Sequence, residues 1–124
     1  MTLEAILIKH LDELRDFKYA WGMFLDEFYR TVEKDKQRFL LSKEPNLPSL
    51  GFTISCFIAA SVHRLSNMNH LEVPEWVFKD RYYSIDPLFI DNPGDLLRLV
   101  YLIESPAEFK SRNVFVSANV LSRA

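Results

Sequence analysis

Residues 2–42, TLEAILIKHLDELRDFKYAWGMFLDEFYRTVEKDKQRFLLS, decide the fold class. Leu3, Leu7, Leu11, Leu14, Phe17, Trp21, Phe24, Phe28 and Val32 recur in steps of three and four, which is one apolar stripe of an amphipathic helix. Lys9, Asp12, Glu13, Asp16, Asp26, Arg30, Glu33 and Lys34 fall on the opposite face, and no proline occurs before Pro45. One helix over the whole stretch would run about 60 Å, although helices in globular domains average only ~10–14 residues. The pattern therefore predicts a break between Asp16 and Ala20, with Asp16 capping the second of two helices. A single long helix is the other reading.

Working outward, Glu44-Pro45-Asn46-Leu47-Pro48-Ser49 is a turn, because proline lacks an N–H donor and disfavours helix at the residue before it. A third helix is expected over residues 49–66. Leu50, Phe52, Ile54, Cys56, Phe57, Ile58, Ala59, Ala60, Val62 and Leu65 surround it almost entirely, the mark of a central helix. Asn67-Met68-Asn69-His70 reads as a loop and Pro74-Glu75-Trp76-Val77-Phe78 as a short helix with proline at its first position. The segment from Tyr82 to Pro87 reads as irregular or extended. Asn92 is the expected cap of a helix that starts with Pro93 and carries Leu96, Leu97, Leu99, Val100, Leu102 and Ile103. Ser105-Pro106-Ala107-Glu108 has the form of a capping box leading into a short helix that ends near Arg112. Asn113-Val114-Phe115-Val116 is either a short strand or an extended tail, and residues 117–121 close the chain as a last turn. There are no repeats or linkers. The expectation is an all-α fold: a compact single-domain bundle of four to six helices, residues 1–124, with an irregular C-terminal segment.

Composition narrows the function classes. The chain has 124 residues, 48% hydrophobic and 26% charged, with ten Phe, five Tyr and two Trp, enough to build a core. A net charge of −2 gives no bulk attraction for phosphate, so nucleic acid is not an expected partner. The expected third helix is also too apolar to lie in a major groove. Cys56 is the single cysteine and its neighbours are apolar, as suits a buried thiol in a reducing compartment. Met1-Thr2-Leu3-Glu4 lacks the basic stretch of a signal peptide, and Phe57 to Val62 is far too short to span a bilayer. These features point to the cytoplasm and away from a membrane.

No catalytic, metal or cofactor motif is legible. His10, His63 and His70 form no i, i+4 pair and no Cys/His cluster. His63 sits beside Arg64 near the end of the third helix, where the dipole favours a cation. The pairs Asp12-Glu13, Asp26-Glu27 and Asp86 with Asp91 read as solvated carboxylates. Gly22, Gly51 and Gly94 stand alone, so no phosphate loop exists. Arg112-Asn113 is followed by no histidine, which leaves the Arg–polar–His pattern of some helical ribonucleases incomplete.

Two features remain. The aromatic run Phe17, Tyr19, Trp21, Phe24, Phe28 and Tyr29 covers more than one helix face, with Tyr19 off the core stripe. In the second, Phe109 to Val116 sets Lys110 and Arg112, with the later Arg123, beside apolar residues, a basic patch that either docks a partner or folds back on the core.

Phe24-Leu25-Asp26-Glu27-Phe28-Tyr29, Pro74-Glu75-Trp76-Val77, Ser105-Pro106 through Phe109, Arg112-Asn113-Val114-Phe115 and Asn119 together resemble a set of small uncharacterised bacterial proteins. Members of that set accompany a nucleotidyltransferase-like partner in operons of toxin–antitoxin type. The resemblance implies a helical partner protein, the antitoxin half, and assigns no catalytic residue. The expected function is thus a bacterial protein-interaction module that binds an operon-encoded protein or a second copy of itself, without a cofactor. The expected contact residues are Tyr19, Trp21, Tyr29, Trp76, Lys110, Arg112 and Asn113. The alternatives are a small enzyme drawing on His63, Asp26 and Glu27, or a DNA-binding regulator.

Overall fold

The computed structural model describes residues 2–11, 16–90 and 93–123. As expected, the fold is all-α. Among the described residues there are six α-helices and one short parallel pairing of two strands. The chain divides into two compact units, Met1–Ser49 with Arg123–Ala124, and Leu50–Ser122.

In the first unit, α1 (Leu3–Leu11) packs on α2 (Phe17–Arg30). Leu3, Ile6 and Leu7 of α1 are buried, as are Trp21, Phe24 and Phe28 of α2, so the apolar stripe is core over these positions. The break falls where it was expected. Asp16 is extended, and its Oδ1 accepts from the Tyr19 N–H at 2.9 Å, satisfying a donor at the open helix start. Leu14 of the stripe and the Asp12-Glu13 pair lie outside the described residues.

A second break at 31–33 was not anticipated, and it corrects the two-helix reading to three. Thr31 turns extended, its hydroxyl donates to the Glu27 carbonyl at 2.8 Å, and the buried Gln37 amide donates to the Thr31 carbonyl at 2.8 Å. These bonds occupy groups that another helical turn would use, and α3 begins afresh at Lys34–Ser42. Val32, the last residue of the stripe, is consequently 84% exposed.

In the second unit, Pro48–Leu50 forms a 3₁₀ turn and Gly51, at φ +84°, opens α4 (Gly51–Met68). Cys56 to Val62 and Leu65 are buried, so α4 is the central helix of this unit. It runs past the expected end at 66, through Asn67 and Met68. It then closes with His70 in the left-handed region (φ 57°), while the Leu71 N–H reaches the Ser66 carbonyl at 2.9 Å and the His70 N–H reaches Asn67. This is the glycine-type helix stop made with histidine, a strained choice for an L side chain. His70→Gly is expected to stabilise the protein by about 0.5–1 kcal/mol in urea unfolding; no change or a loss would show that the His70 side chain contributes more than its backbone strain removes.

Around α4 pack two 3₁₀ turns, Glu75–Phe78 and Asp80–Tyr82, the short helix α6 (Ala107–Lys110) and β2 (Val114–Phe115). Pro74 is the N-cap of the first turn rather than its first residue. β1 (Leu88–Phe89) pairs parallel with β2, Leu88 opposite Val114, so the segment read as strand or tail is a strand. α5 (Asp95–Glu104) starts with Gly94 as N-cap; the expected cap, Asn92, lies outside the described residues. The capping box at Ser105 is also corrected. Pro106 is the N-cap of α6, and the buried Ser105 hydroxyl accepts from the Val116 N–H at 2.8 Å and donates to the Tyr101 carbonyl at 2.6 Å, with the Val116 carbonyl as the alternative acceptor at 3.0 Å. Ser105 thereby fastens the end of α5 to the strand segment.

Candidate functional site

Two features of the second unit stand out: a buried charged cluster under α4, and an apolar helix face left in solvent.

The cluster centres on Arg112, just after α6 and 1% exposed. Its Nη1 donates to the Glu108 carbonyl at 2.9 Å and its Nη2 to the Val77 carbonyl at 2.8 Å. The guanidinium also stacks 4.8 Å from the Tyr83 ring centroid. Nη1 lies 3.1 Å from Nδ1 of His63. A guanidinium has only donors, so Nδ1 must be the acceptor and the imidazole proton resides on Nε2. The His63 ring meets Phe78 edge-on at 5.0 Å. Burial first, and the adjacent Arg112 charge second, hold the His63 pKa below its ordinary value against the opposing pull of Glu108. His63 is therefore not the cation that the end of the helix was expected to favour.

Glu108 completes the cluster. Its Oε2 accepts from the Asn67 amide at 2.8 Å, and Oε1 lies 3.6 Å from Arg64. Burial raises its pKa, but the Asn67 bond, its own backbone N–H and Arg64 outweigh this and leave it below the usual carboxylate range. Burial lowers the pKa of Arg112, with Tyr83, Cys56 and Glu108 opposing. Cys56 is buried and free, and burial pushes its thiol up to about 11, so the thiolate is scarce at neutral pH. The arrangement clamps α6 to α4 and to the 75–78 turn. It holds a fixed positive charge and a neutral imidazole rather than a poised acid–base pair.

This geometry makes stability depend on pH. Because the folded pKa of His63 is lowered, the unfolded chain takes up the proton first as pH falls below about 6.5. Protons bound to the unfolded state draw the equilibrium towards it, so stability is full above that pH and declines until the folded His63 itself titrates. Urea midpoints measured from pH 7.5 to 5 are expected to fall in the native chain and to change less in His63→Gln. Equal slopes for the two proteins would rule out this origin.

The second feature is α5. Tyr101 is its buried residue, and Arg98 lies 4.9 Å over the Phe89 ring, which seats the helix on the strand pair. Leu96 (77%), Leu97, Leu99, Leu102 and Ile103 (74%) are all exposed. The exposed Leu96, Leu99 and Ile103, with the half-buried Val100, form an i, i+3, i+4, i+7 stripe. Sequence reading gave these residues to a helix and assigned them no contact role. The available signal was the width of the apolar arc, too broad for a ten-residue helix to bury on one neighbour.

The expected contact residues are scattered. Tyr19 and Tyr29 are exposed on α2, Lys110 is exposed, and Asn113 is half-buried. Asn113 has φ 64° and its amide donates to the Ile85 carbonyl at 2.8 Å. Trp21, Trp76 and Arg112 are buried, Trp21 on the core stripe and Arg112 folded back into the interior, so none of these three expected contact residues stands at the surface. The basic patch dissolves into three separate roles. Arg112 is internal, Lys110 donates to the Ile103 carbonyl at 2.7 Å at the end of α5, and Arg123 forms a two-bond ion pair with Asp26 at 2.8 and 3.0 Å. That pair lies across Gly22, where a Cβ would approach the Arg123 guanidinium to 2.8 Å.

For the enzyme alternative, Asp26 and Glu27 belong to the first unit and His63 to the second. Asp26 is committed to Arg123, whose hydrogen bond lowers the Asp26 pKa. Among the described residues no group of three or more His, Cys, Asp or Glu side chains could hold a metal ion, and no helix is long and apolar enough to cross a membrane. Comparison with protein-family models, curated proteins and solved structures returns no match.

Proposed function

We propose that this chain is a bacterial, cytoplasmic protein-interaction module with α5 as its contact helix. It serves as the antitoxin-like companion of a nucleotidyltransferase-type protein encoded beside it. The observation that supports this reading is the exposed apolar face of α5, on which five large aliphatic side chains stand in solvent. Scattered apolar residues are ordinary on a surface, but a contiguous helical stripe is characteristic of a contact site. The buried cluster supports the same reading, because its charged and titratable groups are engaged in holding the helices together. The resemblance at residues 24–29, 74–77, 105–109, 112–115 and 119 supplies the operon context.

Co-expression with the neighbouring open reading frame tests the proposal. The native chain is expected to co-purify with the neighbour in fixed stoichiometry. The double variant Leu96→Glu/Ile103→Glu is expected to lose it while keeping its circular dichroism spectrum, because both positions are solvent-exposed. Full retention of the neighbour by this variant would remove α5 from the interface; no co-purification in either case would end the companion assignment.

A further inference from the structure

We propose that the α5 face is occupied by a second copy of the same helix, antiparallel across a two-fold axis between Leu99 and Val100. The inference rests on the reading of α5 as an interaction surface and names its occupant.

The stripe is nearly its own reverse. In chain order it reads Leu96, Leu99, Val100, Ile103, and turning the helix end for end places Leu96 opposite Ile103 of the second copy and Leu99 opposite its Val100. A two-fold interface requires this property, since the same patch must complement itself. Every seam position then meets an aliphatic residue of similar size.

Charge agrees with this direction. α5 carries Asp95 at its start, Arg98 on its strand-facing side and Glu104 at its end. At ~100° per residue, Asp95 and Glu104 fall on opposite flanks of the stripe. In the antiparallel pair the same flanks meet, so Asp95 comes alongside Leu102 of the other copy and Glu104 alongside Leu97. Equivalent carboxylates are then about 13 Å apart, beyond the ~8–10 Å reach of screened charge in physiological salt. Reversal also sets the positive end of each helix dipole beside the negative end of the other. A parallel pair would bring each carboxylate level with its equivalent and align the dipoles.

The area suffices. Five aliphatic side chains exposed to this degree present roughly 400–500 Å², near the top of the ~300–600 Å² patch that a monomer shows. Two copies would remove at most about 1,000 Å² from water, the threshold for a specific interface and below the ~1,200–2,000 Å² of stable ones. The dimer should accordingly be weak to moderate, so that a companion using the same face of α5 would displace the second copy.

Sedimentation equilibrium of the purified full chain, with no companion present, tests the proposal. The expected result is a reversible monomer–dimer equilibrium at micromolar concentration. Leu96→Glu/Ile103→Glu should weaken it by about 100-fold or more, with an unchanged circular dichroism spectrum. Geometry is read by single cysteines. Leu99→Cys brings its sulfur next to its equivalent at the axis and should form a linked dimer on mild oxidation. Leu96→Cys leaves the equivalents about 10 Å apart along the helices, outside the 7 Å limit between Cα atoms, and should not. The buried Cys56, present in both, serves as internal background. A chain that stays monomeric at hundreds of micromolar overturns the self-pairing. So does a dimer indifferent to the double variant, or a cross-link at 96 in preference to 99. A monomer that still binds its companion through α5 would overturn the self-pairing alone. Failure to bind any companion would strike the functional reading and leave the dimer to its own measurement.

Discussion

Arg112→Ala is expected to lower the unfolding free energy by about 3–4 kcal/mol, a large share of the 5–15 kcal/mol that holds a domain of this size together. The guanidinium satisfies the Glu108 and Val77 carbonyls and stacks on Tyr83, all within an interior that leaves it 1% exposed. Truncation strands both acceptors away from water and opens a cavity where the side chain lay. Removing a buried charge also removes its desolvation cost, which sets the estimate below the sum of the lost bonds. Two further variants divide the effect. Arg112→Met keeps most of the packing and no donor; Arg112→Lys keeps the charge but cannot reproduce the planar fork that reaches two carbonyls on different segments. Alanine should cost most in urea denaturation, with both replacements recovering part. The His63 pKa, followed by NMR, should rise in Arg112→Met, because the neighbouring cation contributes to its depression. A loss below 1 kcal/mol for alanine would show that Arg112 is a passenger in the interior rather than its clamp.

Arg112 also marks the limit of what the sequence discloses. Its nearest partners are Glu108, four residues away, and Val77 and His63, 35 and 49 residues away. No local period encodes a bond over such distances, so the basic residues of 110–123 read as a patch even though the fold gives each a different task. Elements with a local physical cause were legible. Asp16 caps because a short acceptor at a helix start finds open N–H groups within three residues, and α4 is central because apolar residues surround it. The break after Arg30 was hidden for the opposite reason. It depends on Gln37 reaching back to the Thr31 carbonyl, a bond that exists only once α3 has turned away.

The candidate contact surface was obscured in a related way. An aliphatic stripe announces burial but not by what, and a sequence presents a core helix and an interface helix alike. Trp21 and Trp76, named as contact residues, are buried in the chain itself, whereas the leucines of α5, given to a helix without a contact role, stand in solvent. Arg98 seats α5 over Phe89 of the strand pair, and Tyr101 is buried. The exposed aliphatic face of this helix is what the proposed association would cover.

Phe24→Ala is expected to be the other severe lesion, costing about 3–5 kcal/mol, while Val32→Ala costs nothing measurable. Both residues lie on the stripe read from residues 3–32, and one uninterrupted helix would place both in the core. The structure separates them. Phe24 is fully buried, its ring 5.1 Å from Trp21 and 6.3 Å from Phe28, so truncation removes contacts on both sides and leaves a cavity that rigid neighbours fill poorly. Val32 follows the turn at Thr31 and has nothing to lose, since its side chain is already in water. Urea midpoints for the two single variants provide the measurement. A large loss at Phe24 with native behaviour at Val32 fits a helix that ends at Arg30. Comparable losses at both would mean that the helix runs on through Thr31 and that the separate start of α3 is wrong.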